Sequence, residues 1–115
     1  MEAKWKPIAM QAAMSTRVPP VSGLYAILRA PRLHGLPIDW EIAYIGKSRN
    51  LRRRFQEHVV PWRERSTTLR WSPTYRDKDL EFWYRELATD QLDHGERELI
   101  RRVQPALNMI RYGDE

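Results

Sequence analysis

The chain has 115 residues, of which 42% are hydrophobic, a formal net charge of +5 and no cysteine. These values predict a single globular domain, and they exclude disulfides and thiolate metal sites. The excess of basic residues favours an anionic partner, nucleic acid ahead of an acidic membrane surface. Since no stretch is typical of a membrane span or a signal peptide, we expect a cytoplasmic protein without membrane contact.

The first predicted feature is an N-terminal arm over residues 1–22, which contains a pair of prolines and packs on the core through Trp5 and Ile8. A strand is predicted over residues 23–28, where branched and aromatic residues are concentrated. Two prolines and a glycine then indicate a loop over residues 30–39.

The partner strand is predicted over residues 40–45, so that the two strands form a β-hairpin with a long loop. Its period of two places Trp40, Ile42 and Tyr44 on one face and the residues between them on the other. Gly46 is predicted to end this strand and to let the chain turn sharply.

A helix is predicted to follow, capped by Ser48 or Asn50 and reaching about residue 60. Its apolar stripe consists of Leu51, Phe55 and Val59. The basic and aromatic segment 61–79 has no sustained period and predicts a surface loop.

The last predicted elements are a strand over residues 80–84, a helix over 89–104 and a short extended segment over 106–110. The apolar stripe of this helix consists of Leu92, Leu99, Ile100 and Val103. The order of elements predicts an α+β fold, with a small antiparallel three-stranded sheet flanked by helices.

Arg54 and His58 are four residues apart on the first helix, beside its apolar stripe rather than opposite it. An arginine at the edge of a core offers a fixed fork for phosphate, and a neighbouring histidine can bind the same phosphate or give it a proton. The other interpretation is an ordinary basic amphipathic helix. Arg49, Arg52 and Arg53 are predicted to point elsewhere, into solvent.

Glu96 lies on the apolar stripe of the second helix, four residues from both Leu92 and Ile100. A carboxylate that faces a core is costly unless it is paired, hydrogen-bonded or metal-bound. Two interpretations stay open at this stage, a buried ion pair such as one with Arg54, and an oxygen ligand for Mg²⁺.

The 61–79 segment interleaves arginines with aromatic residues, among them Arg63, Arg65 and Arg70 with Trp62 and Trp71. Such a pattern is typical of surfaces on which bases stack. It is equally typical of a long loop whose tryptophans anchor it to a core.

Two tripeptides lie on the predicted hairpin, Gly23-Leu24-Tyr25 and Tyr44-Ile45-Gly46. Arg54 follows the second tyrosine by ten positions, and His58 comes four positions later. In these spaced elements the sequence resembles the GIY-YIG nuclease family.

Two more elements of that family occur in the second half of the chain. Glu96 opens a Glu-x-x-Leu-Ile pattern twelve residues before Asn108, which belongs to a Pro-Ala-Leu-Asn sequence. The run that begins at Tyr44 resembles most the N-terminal incision domain of UvrC-type repair nucleases, in which Lys47 also has a counterpart. The resemblance extends over roughly residues 23–108.

The resemblance implies a metal-dependent endonuclease that hydrolyses phosphodiester bonds in DNA. In that scheme Tyr44 activates the attacking water, Tyr25 orients it, and Arg54 and His58 face the scissile phosphate. Glu96 holds a single Mg²⁺ or Mn²⁺ ion.

Three further residues are implied in supporting roles. Gly46 lets the chain turn away from the site, Lys47 helps to lower the pKa of a catalytic tyrosine, and Asn108 supports the site through hydrogen bonds. A nucleic-acid-binding role is expected for Lys47, Arg49, Arg52, Arg53, Arg63, Arg65 and Arg70.

The predicted division of the chain is an arm over residues 1–22, a nuclease domain over 23–110 and a tail over 111–115. We expect DNA as the partner, with RNA as an alternative, and target specificity that comes from the loops, the N-terminal arm or a protein partner. The competing hypothesis is a catalytically silent module that binds nucleic acid with the same fold.

Overall fold

The computed structural model of the chain describes residues 4–59, 80–105 and 108. In chain order the elements are β1 (Lys6–Ala9), a 3-10 helix (Ala12–Arg17), β2 (Gly23–Arg29), β3 (Arg32–Leu33), β4 (Leu36–Pro37), β5 (Glu41–Ser48), α1 (Leu51–Val59), β6 (Leu80–Glu86), a 3-10 turn (Thr89–Gln91) and α2 (Leu92–Val103). The α+β prediction is confirmed. The predicted loop over residues 61–79 lies outside the described residues.

The main sheet is antiparallel and has the strand order β1-β6-β2-β5, with β3 and β4 forming a separate two-stranded hairpin. The prediction of three strands was therefore one strand short. The additional strand, β1, comes from the predicted arm and pairs with β6, with Lys6 opposite Tyr84. It is short and contains Pro7, which lacks an N–H group, so the local sequence did not indicate a strand; such a residue is tolerated at a sheet edge.

The predicted alternation along the second hairpin strand was wrong because β5 contains a bulge. Tyr44 lies opposite Ile27 and Ile42 lies opposite Leu28, so Ala43 is an extra residue without a partner of its own. Beyond the bulge, the side chains change face relative to a regular strand. Tyr44 consequently packs on the opposite face of the sheet from Ile42.

Gly46 also differs from its prediction, because it lies inside β5 instead of ending it. The strand continues to Ser48, and Gly46 lies directly opposite Tyr25 on β2. The chain leaves the strand after Ser48, and the side-chain Oδ1 of Asn50 accepts a hydrogen bond of 3.1 Å from the Arg53 N–H. Asn50 therefore caps α1 as predicted.

Among the described residues, one helix packs on each face of the sheet. On the α1 face, a buried cluster joins Tyr25, Ile27 and Phe82 to Leu51 and Phe55 of α1. The packing of the N-terminal residues is confirmed, since Ile8 lies against this cluster and Trp5 against the cluster on the other face.

On the α2 face, a second cluster joins Ala26 and Ile45 to Ile100 and Leu99 of α2. Val103 was predicted to belong to this stripe, but it is 38% exposed. It is the last residue of the helix, and Gln104 turns the chain with a left-handed φ of 53°.

Asn108 is the one described residue of the predicted 106–110 extended segment, and its backbone is helical instead. Its N–H donates to the Pro105 carbonyl at 3.1 Å. Among the described residues, neither helix has the length and apolar character needed to cross a membrane.

Candidate active site

The hydroxyl of Tyr25 is the centre of a contact between β2 and α1. Arg54 Nε donates a hydrogen bond of 3.0 Å to this oxygen, and His58 Nε2 lies 3.0 Å from it. Arg54 and His58 reach the same atom because residues four apart lie on one face of a helix. Tyr25 is only 1% exposed, and His58 is also buried.

The ring of Tyr25 occupies space that only glycine leaves open on the neighbouring strand. A Cβ at position 46 would overlap the hydroxyl and the adjoining ring carbons of Tyr25. On its other neighbour, β6, Phe82 stacks on Tyr25 with ring centroids 5.0 Å apart and an interplanar angle of 14°. Gly46 is therefore required for a close approach of side chain to backbone, not for the turn that the sequence predicted.

Tyr44 joins the same group from β5. Its ring centroid lies 6.2 Å from that of Tyr25 and 6.1 Å from that of His58. The bulge at Ala43 is what places Tyr44 on the α1 face. Four predicted site residues, Tyr25, Tyr44, Arg54 and His58, are thus brought together.

Glu57 is a charged neighbour of Arg54 that the sequence analysis missed. Its carboxylate lies 3.3 Å from Arg54 Nη1 and 3.9 Å from Arg53 Nε, and it is largely buried. The i+3 and i+4 spacings were a usable signal for these contacts. Glu57 therefore places a negative charge beside the guanidinium that was predicted to bind phosphate.

Glu96 and Lys47 form a second group, on the α2 side of β5. The carboxylate of Glu96, 10% exposed, lies 3.7 Å from the Lys47 Nζ. Lys47 also donates a hydrogen bond to Asp93, one turn earlier on α2, and lies between the two carboxylates. The hydrogen bond and the charge of Lys47 lower the pKa of Asp93. Asp93, whose side chain is 77% exposed, was not among the predicted site residues.

The two groups are linked by consecutive residues of β5. Gly46 lies against Tyr25 on the α1 face, and Lys47, the next residue, reaches Glu96 on the other face. Asn108 holds the outer edge of the same strand: it accepts a hydrogen bond of 2.6 Å from the Ile45 N–H and donates one of 2.8 Å to the Ile45 carbonyl. The side-chain amide of Asn108 thus makes the backbone hydrogen bonds that a neighbouring strand would otherwise make with Ile45.

Glu96 is the carboxylate that the sequence analysis predicted as a ligand of Mg²⁺. Within residues 4–59, 80–105 and 108, there is no group of three or more histidine and carboxylate side chains arranged to hold a metal. Mg²⁺ commonly uses one or two carboxylates and completes its shell with water and substrate phosphate. Glu96 offers one such carboxylate, buried on α2 beside Lys47.

The predicted nucleic-acid-binding residues fall into different environments. Arg49 and Arg53 are exposed. Arg52 is not simply solvated, because its guanidinium donates to the carbonyl oxygens of Val18 at 2.7 Å and Thr16 at 3.1 Å. Three others lie outside the described residues: Arg63, Arg65 and Arg70.

A third buried tyrosine, Tyr84, borders the group and was not singled out from sequence. It lies opposite Tyr25 on β6. Burial raises its pKa, and the nearby Glu86 carboxylate raises it further. Its phenol therefore stays protonated at neutral pH and is a poor candidate for a base.

Comparison with models of protein families, with curated proteins and with solved structures gave no match.

Proposed function

We propose that the chain is a metal-dependent endonuclease of the GIY-YIG type that hydrolyses phosphodiester bonds in DNA. The observation that carries the proposal is the Tyr25 hydroxyl, which lies 3.0 Å from both Arg54 Nε and His58 Nε2. A buried tyrosine whose hydroxyl oxygen contacts both an arginine and a histidine can hold a proton and also release it. A purely structural tyrosine needs only one hydrogen-bond partner.

One direction of this contact follows from chemistry. Arginine only donates, so the Tyr25 oxygen accepts the hydrogen bond from Arg54 Nε. His58 Nε2 lies at the same oxygen, and its role as donor or acceptor follows from the tautomer of the ring. A histidine in this position can exchange a proton with the tyrosine.

These contacts make Tyr25 a candidate for the base, beside Tyr44, which the motif favoured. In the reaction proposed through Tyr25, its hydroxyl passes a proton to His58 and takes one from water, and the water oxygen attacks phosphorus. The bond from phosphorus to the 3′ oxygen breaks, and that oxygen takes a proton from solvent, to which His58 returns the proton it received. Arg54, once it contacts phosphate in place of Glu57, stabilises the charge that develops.

Glu96 is the residue that would hold the divalent cation. When bound, Mg²⁺ or Mn²⁺ supplies Lewis-acid stabilisation of the leaving oxygen. Without the cation, Lys47 balances the charge of Glu96, since its Nζ lies 3.7 Å from that carboxylate. The same ammonium can bind a phosphate oxygen next to the site.

DNA is the proposed substrate because the molecule carries a net charge of +5 and exposes Arg49 and Arg53 near the site. Such cations bind the backbone of nucleic acids without reading sequence. A protein partner that supplies target specificity remains part of the proposal.

The test is cleavage of supercoiled plasmid and of a labelled single strand with Mg²⁺, Mn²⁺ or EDTA. We expect the wild type to cut only in metal and Glu96→Gln to be at least about 10²-fold slower. Glu98→Gln, a change of the same charge on the same helix, should cut normally. If purified wild type binds DNA in a salt-dependent way but cuts neither DNA nor RNA, the silent binding module replaces the nuclease.

A further inference from the structure

The ammonium of Lys47 lies between two carboxylates of α2 and makes its hydrogen bond to the more exposed of them. Its Nζ donates to Asp93 Oδ1, whereas Glu96 Oε1 lies 3.7 Å from the Nζ, which is longer than a hydrogen bond. The side chain of Asp93 is 77% exposed and that of Glu96 is 10% exposed. The carboxylate that binds the ammonium directly is therefore not the predicted metal ligand.

Of these two carboxylates, Glu96 is the one whose attraction for a cation is less screened by water, because it is buried. An ammonium held between the two is thus drawn towards Glu96 and needs a second anion to keep it at a distance. Asp93 is in the right place to do so, since residues three apart lie on neighbouring positions of one helix surface. Its hydrogen bond fixes the Nζ on the solvent side of Glu96.

The position of this ammonium matters for a metal ion. A lysine in hydrogen-bond contact with Glu96 would occupy the oxygen lone pairs that a divalent cation needs, and it would have to leave before the ion could bind. Once the ion is bound, it also repels the ammonium. A neighbouring carboxylate that keeps the ammonium favours metal binding on both counts.

Asp93 fits this role better than that of a second metal ligand. Its carboxylate is already hydrogen-bonded to the Lys47 Nζ, and water has access to most of the side chain. A metal ion on Asp93 would have to displace the lysine from both carboxylates. A metal ion on Glu96 alone leaves the hydrogen bond between Lys47 and Asp93 in place.

We propose that Asp93 is a positioning residue, which holds the Lys47 ammonium away from Glu96 and so leaves that carboxylate to the divalent cation. The inference rests on the proposed function, in which Glu96 is the metal ligand. It deepens that function, because the same hydrogen bond keeps the ammonium beside the site, where a substrate phosphate would meet it. Asp93 then acts only through Lys47, and its effect must vanish when the lysine is absent.

The test is the binding of Mn²⁺ to the full chain without nucleic acid, with the free ion measured by electron paramagnetic resonance in about 0.1 M salt. Asp93→Asn removes the carboxylate, and Asp93→Glu retains it. Lys47→Met, alone and combined with Asp93→Asn, completes a double-mutant cycle. Circular dichroism and thermal unfolding verify that each variant is folded.

The matched control is Asp90→Asn, which removes the same charge from the exposed 3-10 turn before α2. Asp90 is six residues from Glu96, on the order of 10 Å along the helix axis and about one Debye length at this salt concentration. Its charge should therefore affect the metal less than the charge of Asp93 does.

We expect Asp93→Asn to raise the dissociation constant for Mn²⁺ about two- to fivefold, the range of an exposed ion pair. Asp90→Asn should raise it less, and Asp93→Glu should stay close to the wild type. In the Lys47→Met background, Asp93→Asn should change the affinity no more than Asp90→Asn does. An equal loss with and without Lys47 overturns the proposal, since Asp93 would then act on the metal directly.

A second measurement uses no metal. The nuclear magnetic resonance signal of the Lys47 ammonium, assigned by its absence in Lys47→Met, should move in Asp93→Asn and stay in place in Asp90→Asn. A signal that does not move in Asp93→Asn overturns the proposal whatever the metal does. If Glu96→Gln binds Mn²⁺ as well as the wild type does, the metal site of the proposed nuclease is wrong, and the inference falls with it.

Discussion

At the residue scale, Glu57 is the group that a substrate phosphate has to displace. Its carboxylate lies beside Arg54 and Arg53, at 3.3 and 3.9 Å. Glu57→Gln removes this competing anion, so we expect affinity for a short DNA duplex to rise about two- to fivefold. Fluorescence anisotropy at one fixed salt concentration measures the change.

The control for this prediction is Glu98→Gln, which alters net charge equally and breaks a comparable pair, with Arg102 at 2.9 Å on α2. An equal gain in the two variants would mean that overall charge, and not the neighbourhood of Arg54, sets the affinity.

Tyr84 provides a pH-dependent prediction. Burial, together with the Glu86 carboxylate, raises its pKa above the ordinary value of about 10. A raised pKa for an acid means that the folded state favours the protonated form. Its contribution to stability is therefore complete below about pH 10 and is lost as the pH rises through the folded-state pKa.

We expect the free energy of unfolding in urea to fall as the pH rises above about 10 in the wild type, and to fall less in Tyr84→Phe, which cannot ionise. Parallel curves for the two proteins would show that Tyr84 does not contribute to the alkaline loss of stability.

At the element scale, the contact between β2 and β5 depends on Gly46. In Gly46→Ala the new Cβ overlaps Tyr25, which Phe82 blocks from the other side. We expect a loss of stability of about 1–3 kcal/mol and at least tenfold slower plasmid cleavage.

Gly95→Ala is the comparison for this change. Its Cβ meets the Leu24 Cδ1 at 2.9 Å, the end of a flexible side chain, and alanine is preferred to glycine in a helix by about 1 kcal/mol. Stability should therefore change little. If Gly95→Ala lost as much stability as Gly46→Ala, the space above Gly46 would have no specific role.

The edge of β5 depends on Asn108. Asn108→Ala removes two buried hydrogen bonds to the Ile45 backbone, which should cost about 2–3 kcal/mol because the buried N–H and carbonyl of Ile45 are left without these partners. Hydrogen exchange of the Ile45 amide should accelerate. Unchanged exchange in a folded variant would show that this edge is held by other contacts.

At the scale of the whole molecule, we expect the adjacent residues Arg52 and Arg53 to affect different properties, stability and DNA binding respectively. Arg53, 68% exposed, should bind DNA backbone, so Arg53→Ala lowers the salt dependence of binding by about one phosphate contact. Arg52 holds the carbonyl oxygens of Val18 and Thr16, so Arg52→Ala should lower thermal stability more than it lowers the salt slope. Binding titrations at several salt concentrations measure the salt slope, and thermal melts measure stability. If Arg52→Ala and Arg53→Ala changed both properties equally, the two arginines would not have these separate roles.

Much of the fold followed from local patterns. The helix after Asn50 was predictable because a cap and an apolar stripe are encoded within a few residues. The fourth strand was not, because β1 contains Pro7 and exists only through pairing with β6, more than seventy residues away. The contact between Glu57 and Arg54 was predictable from their i+3 spacing, but no motif marked Glu57 as a site residue.

The sequence by itself determined the α+β class, the helix capped by Asn50, and the i, i+4 pair of Arg54 and His58, since each depends on neighbours along the chain. Only the tertiary structure decided that both residues meet the hydroxyl of Tyr25, because that contact joins segments almost thirty residues apart. The bulge at Ala43 was likewise set by the register between β2 and β5, and register is a property of paired strands rather than of either strand alone.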